Sequence, residues 1–247
     1  MREHLVFLLA APLASFGSYA GHERRGSELV PLRSAVLGLV GAALGIERSN
    51  SKGQDRLRSY SVAVQPLQQS IALRDYHTVQ TVPTSKAKRP RSRSRAIALA
   101  GGDVNTVITI RDYRCDVMVG VAVWGMGHWE LEFIAGCLRC PVYPLYLGRK
   151  SCPLATPLNP IVYVANGPVG ALGKIEVPEW QRVEGLDKRD HNLFPVYSDP
   201  VEGVDQPHVI ERVPGEPLDR QAWTFGECTV WQLNPDKREK DRTGGSV

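Results

Sequence analysis

The chain has 247 residues, 43% of them hydrophobic and 23% charged, the ordinary proportions of a globular protein long enough for one large domain or two small ones. Five cysteines at scattered positions do not form a disulfide framework, and beyond the N-terminus no stretch approaches the length of a transmembrane span. Thirty Lys and Arg against 26 Asp and Glu give a net charge of +4, and the excess is local. The run Lys86–Arg95 holds six cations and no acid; without it the balance is 24 against 26, or −2. Clustered cations on a near-neutral body are the footprint of a polyanion contact, because phosphates attract them. The same run also reads as a solvated loop, since blocks of like charge repel and resist packing.

At the N-terminus, Leu5–Ala11 is an apolar run that mimics a short signal peptide but is cut off early by Pro12. It reads instead as a buried central strand, and the expectation is a soluble, cytoplasmic protein with no membrane contact. Pro12–Gly26 follows as a glycine-containing loop bearing Arg24 and Arg25, where backbone N–H groups could approach a ligand. Arg33–Leu44 has the spacing of a helix, with Ser34 as a candidate cap, an apolar stripe from Val36 to Leu44, and Gly45 as its left-handed stop. Its N-terminal end, with Arg33 beside it, is a candidate phosphate site.

Asn50–Arg58 is polar and is expected to be a loop. Ser61–Val64 and Ile71–Arg74 have strand character, the second continuing into Asp75–Gln80. After the basic run, Thr106–Trp124 alternates with period two. The run therefore lies between two strand-like arms, as in a long hairpin. His128–Arg139 is a second amphipathic helix, and Pro141–Leu147 is expected to return as a strand. The order is strand, helix, strands with a hairpin, helix, strand. That is the βαββαβ plan of an α+β, ferredoxin-like fold, shared with RNA-recognition modules. Residues 1–160 account for it, with a thumb over about 75–115. Residues 161–233 read as a smaller β-rich region, and 234–247 as a flexible tail.

Four separated motifs resemble one family, the CasD-type subunit (fifth Cas protein family, type I-E) of the CRISPR-associated Cascade complex. Leu9-Ala-Ala-Pro-Leu-Ala-Ser-Phe-Gly17 is similar to the family's L-A-G-P-L-Q-S-W-G. Pro31-Leu-Arg-Ser-Ala-Val-Leu-Gly-Leu-Val-Gly-Ala-Ala-Leu-Gly-Ile46 is similar to its P-T-R-S-G-L-L-G-L-L-G-A-x-L-G-I helix. Arg74-Asp-Tyr-His-Thr-Val79 resembles the opening of its thumb, and Tyr143–Leu154 matches a fourth segment. The chain departs from the pattern at Phe16, where the family carries Trp, and at Ala11 and Ala35, where it carries Gly.

The resemblance implies a ferredoxin-like RAMP domain with a β-hairpin thumb. It implies binding to the five-prime handle of CRISPR RNA, contact with the Cascade backbone subunits and large subunit, and target DNA met only through the complex. On that basis the candidate RNA contacts are Phe16, Arg24, Arg25, Arg33, Ser34, Tyr76, His77, Arg111, Arg149 and Lys150. The thumb cations Lys86, Lys88, Arg89, Arg91, Arg93 and Arg95 join them by extrapolation. Tyr76 and His77 would stack on a base or fix the thumb by hydrogen bonds.

Metal-free RNA cleavage needs a base and a charge stabiliser, usually drawn from His, Tyr and Lys. None of the six histidines forms a recognisable pair with a lysine at motif spacing. Cys137-Leu-Arg-Cys140 lacks the second ligand pair that zinc requires. The expectation is a non-catalytic subunit with no metal and no cofactor. Two readings of other classes remain beside it: a metal-independent endoribonuclease that processes precursor CRISPR RNA, and a basic module that binds nucleic acid without sequence preference.

Overall fold

A computed structural model describes residues 1–20, 23–86, 89–177, 194–202, 209–219, 222 and 224–235. Its centre is β1, Arg2–Ala14. Leu5, Phe7, Leu9 and Ala11 point to one side of the sheet; Val6, Leu8 and Ala10 point to the other, and all seven are buried. A strand covered on both faces has no reason to alternate with polar residues, which is why this stretch is continuously apolar. Each large aliphatic side chain there contributes on the order of 1.5–3 kcal/mol by leaving water.

Two strands flank β1, both antiparallel: β6 (Asn105–Trp124) and β7 (Ile161–Ala165). On the far side of β6 lies β4 (Ser61–Pro66), again antiparallel. The order β7-β1-β6-β4, with helices in the crossovers, is the ferredoxin-like sheet. Helices α1 (Arg33–Ala43) and α4 (Leu131–Arg139) cover one face through Val36, Leu37, Val40, Ile134 and Leu138. The other face is covered by α5 (Gly167–Leu172) and by Val177. Past β4 the same sheet continues through β8 (Val196–Ser198) to β10 (Thr224–Leu233) and β9 (Val209–Asp219).

The thumb is the hairpin of β5 (Ile71–Thr81) and the first half of β6, in unbroken register from Ile71 opposite Cys115 to Thr81 opposite Asn105. At its tip sits α3 (Arg93–Ala100), capped by the Ser92 hydroxyl, which accepts from the Arg95 N–H, and closed by Gly101 at φ +57°. The basic run therefore becomes loop and helix at the tip rather than strand.

Several sequence expectations are corrected. Pro12–Gly26 is not a plain loop: β1 runs on to Ala14, and β2 (Gly17–Ala20) and β3 (Arg24–Ser27) follow, with β3 running parallel to β6. Asn50–Arg58 contains a short helix, α2 (Ser51–Leu57), because the Asn50 side chain caps the Gly53 N–H. Ser34 is inside α1 rather than at its cap, which is Leu32. Pro141–Leu147 is not the fourth strand. Two prolines remove ladder donors there, and the N–H groups of Val142 and Tyr143 donate instead to Ala43 and Ala42 at the end of α1. The edge position goes to β7, whose Ile161–Ala165 pair with Val6–Arg2.

Candidate nucleic-acid interface

The first and fourth motifs meet at the root of the thumb. The Ser15 N–H donates to the Leu147 carbonyl at 3.0 Å. Beside it Gly148 holds φ +83°, and a Cβ at that position would lie 1.7 Å from the Ser15 oxygen, so only glycine lets the two segments touch. The tight turn that follows is closed by Cys152 N–H donating to the Arg149 carbonyl at 2.8 Å, and it presents Arg149 and Lys150. The Arg149 guanidinium lies 4.5 Å over the ring of Tyr113, a cation–π contact that fixes its plane.

Alternation along β6 puts Thr109, Arg111 and Tyr113 on one face, and register adds Arg25 of β3 directly opposite Arg111. On this face two guanidinium nitrogens, Arg111 Nε and Arg149 Nη1, are buried without a hydrogen-bond partner, as is the Thr109 hydroxyl. Buried charged donors without protein acceptors are expensive unless something accepts from them, and a phosphate is the matching acceptor. The nearest carboxylate across the ladder is Asp75, opposite Arg111, and it is already bonded to His77 Nε2 at 2.6 Å. Exposed Lys150 adds charge at the rim.

The opposite face of the thumb root is built differently. Asp112 accepts from Arg24 Nε and Nη2 at 2.9 and 2.8 Å and from Arg74 Nε at 2.9 Å. The Arg74 hydrogen bond, and then that of Arg24, holds the Asp112 carboxyl below the usual carboxylate range. This triad joins β3, β5 and β6 and keeps one net positive charge. Tyr76, 62% exposed, stands beside it on the same face, free to stack on a base.

The tip is a second basic zone. Lys86, Arg89, Arg91, Arg93 and Arg95 are exposed, with Lys86 bonded to Asp103 at 2.8 Å; Lys88 lies outside the described residues. Residues 71–115 carry nine Lys and Arg against three Asp and no Glu. At roughly 3.3 Å per residue along the paired arm, Arg111 and Tyr113 lie about 20–26 Å from the tip end of the ladder at Asn105. The candidate residues thus form two zones rather than one.

Three candidates are used elsewhere. Arg33 is turned inward and donates to Asp199 Oδ2 at 2.9 Å and to the carbonyls of Tyr60 and Arg58. Phe16 is 1% exposed, its ring in the core and its N–H donating to the Ser27 hydroxyl, so it offers no surface for a base. Ser34 is partly buried in the first turn of α1. Sequence reasoning missed Tyr113, Arg74 and Asp112. Period-two spacing from Arg111 could have found Tyr113, whereas the Arg24–Asp112 contact spans 88 residues and has no local signal.

Among the described residues no three His, Cys, Asp or Glu side chains group as a metal site, and no helix is long and apolar enough to cross a membrane. Cys137 and Cys140 are free, and burial pushes the Cys137 thiol up, with Cys140 adding to the shift.

Comparison with known proteins gives this geometry a lineage. The chain is 33% identical over 170 residues to the CRISPR system Cascade subunit CasD of Escherichia coli (strain K12), covering 64% of this chain and 70% of that protein. Its fold is similar to a chain of a CRISPR RNA-guided surveillance complex, with a TM-score of 0.63 at 23% identity over 93% of this chain and 90% of that one. It is also similar to a crystallised Cas protein, with a TM-score of 0.54 at 20% identity and 93% of each chain covered. The family described as CRISPR-associated protein (Cas_Cas5) matches residues 4–230, nearly the whole described fold, and the chain belongs to that family.

Proposed function

We propose that this protein is a non-catalytic subunit of a type I-E, Cascade-type CRISPR complex, and that it holds the five-prime handle of the CRISPR RNA. The observation that carries the reading is the pair of buried guanidinium nitrogens, on Arg111 and Arg149, that lack a protein acceptor at the thumb root of a family member. Arg149 stacked on Tyr113, with Arg25 and Lys150 beside it, would bind the backbone of a single strand. Exposed Tyr76 would receive a base. The tip cations would add sequence-independent attraction. In the cytoplasm the subunit would contact backbone and large subunits, and would meet target DNA only through guide pairing.

The test is expression with the neighbouring complex genes, pull-down of this chain and sequencing of the RNA recovered. Guide RNA with an intact handle is expected, and Arg111→Ser with Arg149→Ser should lose it. Recovery of the complex without guide RNA would count decisively against the reading. Incubation with labelled repeat RNA addresses the endoribonuclease alternative: specific cleavage at the handle boundary, lost in His77→Ala, would replace the non-catalytic assignment.

A further inference from the structure

At the thumb tip, β5 ends at Thr81 and the chain folds back over the start of α3, leaving a cleft of about 520 Å³. That size is within the range of small-molecule sites, roughly 300–1,000 Å³, and is too small for a duplex. Its chemistry is divided. Val82, Pro90 and Ile97 supply apolar walls, Arg89 and Arg93 supply two cations, and Gln80 supplies an amide with both a donor and an acceptor. None of the lining residues is acidic. Lys86 nearby is neutralised by Asp103, but Arg89 and Arg93 have no carboxylate partner among the described residues. Arg89 also holds φ +50°, a conformation unfavourable for any residue with a Cβ, at the edge of this cleft.

Two unpaired guanidinium groups beside an open cleft with partly apolar walls suit a ligand with an anion at one end and a flat, weakly polar body at the other. We infer that the tip cleft is a nucleotide site: it takes one unstacked nucleotide of a single strand, its phosphate on Arg89 and Arg93, its base between Val82, Pro90 and Ile97, and its edge toward Gln80. The inference rests on the reading of this chain as an RNA-binding subunit only for the source of the strand. The site itself is about 20 Å from Arg111 at the thumb root, counting the paired residues between Arg111 and Asn105 at roughly 3.3 Å each.

The test uses the full chain and fluorescence anisotropy with end-labelled eight-nucleotide RNA and DNA of one sequence, at several salt concentrations. Ile97→Trp fills the cleft without changing charge and should weaken binding about tenfold, one stacked base, with the salt slope unchanged. Arg89→Ser with Arg93→Ser should weaken binding and reduce the slope of log affinity against log salt by about 0.7, the loss of one phosphate contact on a single strand. A loss confined to RNA identifies the guide as the occupant; a loss shared by DNA, or confined to it, identifies a DNA strand.

The root variant Arg111→Ser/Arg149→Ser separates the two readings. If it abolishes binding and both cleft variants match wild type, the cleft site is wrong and the handle reading stands. If the cleft variants weaken binding and the root variant does not, the handle reading falls alone. If the wild-type chain binds neither oligonucleotide, both fall. A readout without substitution guards against a misfolded tip: 4-thiouridine in the RNA, or 4-thiothymidine in the DNA, should crosslink to a peptide within residues 80–97, and adducts confined to other peptides overturn the inference.

Discussion

Replacing Arg33 with Met separates a structural arginine from an RNA-binding one. In the folded chain Arg33 and Asp199 are each 11% exposed, and they form an ion pair at 2.9 Å. Arg33 also donates to the carbonyls of Tyr60 and Arg58, while Asp199 accepts from the Val62 N–H at 2.8 Å. Methionine keeps most of the apolar stem but leaves a buried carboxylate without its cation and two carbonyls without their donor. Breaking a buried pair by removing one partner costs about 3–5 kcal/mol. With a urea dependence of about 3 kcal/mol per molar, the unfolding midpoint should fall by roughly 1–1.7 M. Urea titration followed by tryptophan fluorescence measures this. Anisotropy with handle RNA, below the unfolding range, should give wild-type affinity. A midpoint within about 0.3 M of wild type, on the same slope, together with a tenfold loss of RNA affinity would refute the reasoning and return Arg33 to the phosphates.

Three further outcomes follow from the same geometry. Gly148→Ala would put a Cβ 1.7 Å from the Ser15 carbonyl at φ +83°, so the thumb root should lose at least about 2 kcal/mol in urea melts, and RNA affinity with it. Tyr60→Phe removes the hydroxyl that accepts from the Trp129 N–H at 2.7 Å and donates to the Trp129 carbonyl, and should cost about 1–3 kcal/mol by the same measurement. Asp112, held ionised by Arg74 and then Arg24, contributes stability that is full above the ordinary carboxylate value of about 3.9 and is lost as pH falls through its lower folded value. Asp112→Asn should therefore flatten the acid limb of the stability profile below about pH 4, and an unaltered limb would remove the triad from the account.

What the sequence revealed was local. Leu5–Ala11 announced a central strand because both of its faces are buried, and Gly45 marked the end of α1, where it indeed holds φ +74°. The thumb arms were legible in the alternation of Thr106–Trp124. What stayed hidden depended on contacts across the chain. Arg33, at a helix start, has the local appearance of a phosphate ligand; its role is set by Asp199, 166 residues away. Phe16 sits in a motif that suggests stacking, yet it is placed in the core by the packing of β1 under α1. Pro141–Leu147 had the apolar content of a strand, but its N–H groups were claimed by the end of α1. At the thumb root, Arg111 and Arg149 were named from sequence, but the stacking of Arg149 on the ring of Tyr113 depends on how a loop folds over β6.

The twenty residues of β6 are at once the return arm of the thumb and a central strand of the core sheet. The thumb is therefore no tethered flap. A pull on its tip is carried along one polypeptide into the ladders with β1 and β4, so force at the tip is felt as shear in the core. The line is interrupted at one place: Asp116 holds φ +54° between the part paired with β5 and the part paired with β4, and its carbonyl accepts from the Gln68 amide at 2.6 Å. β1 spans this point, with Ala11 opposite Val117 and Leu13 opposite Cys115, so a second strand splices the irregularity and the thumb root is held by the core ladder on both sides of it.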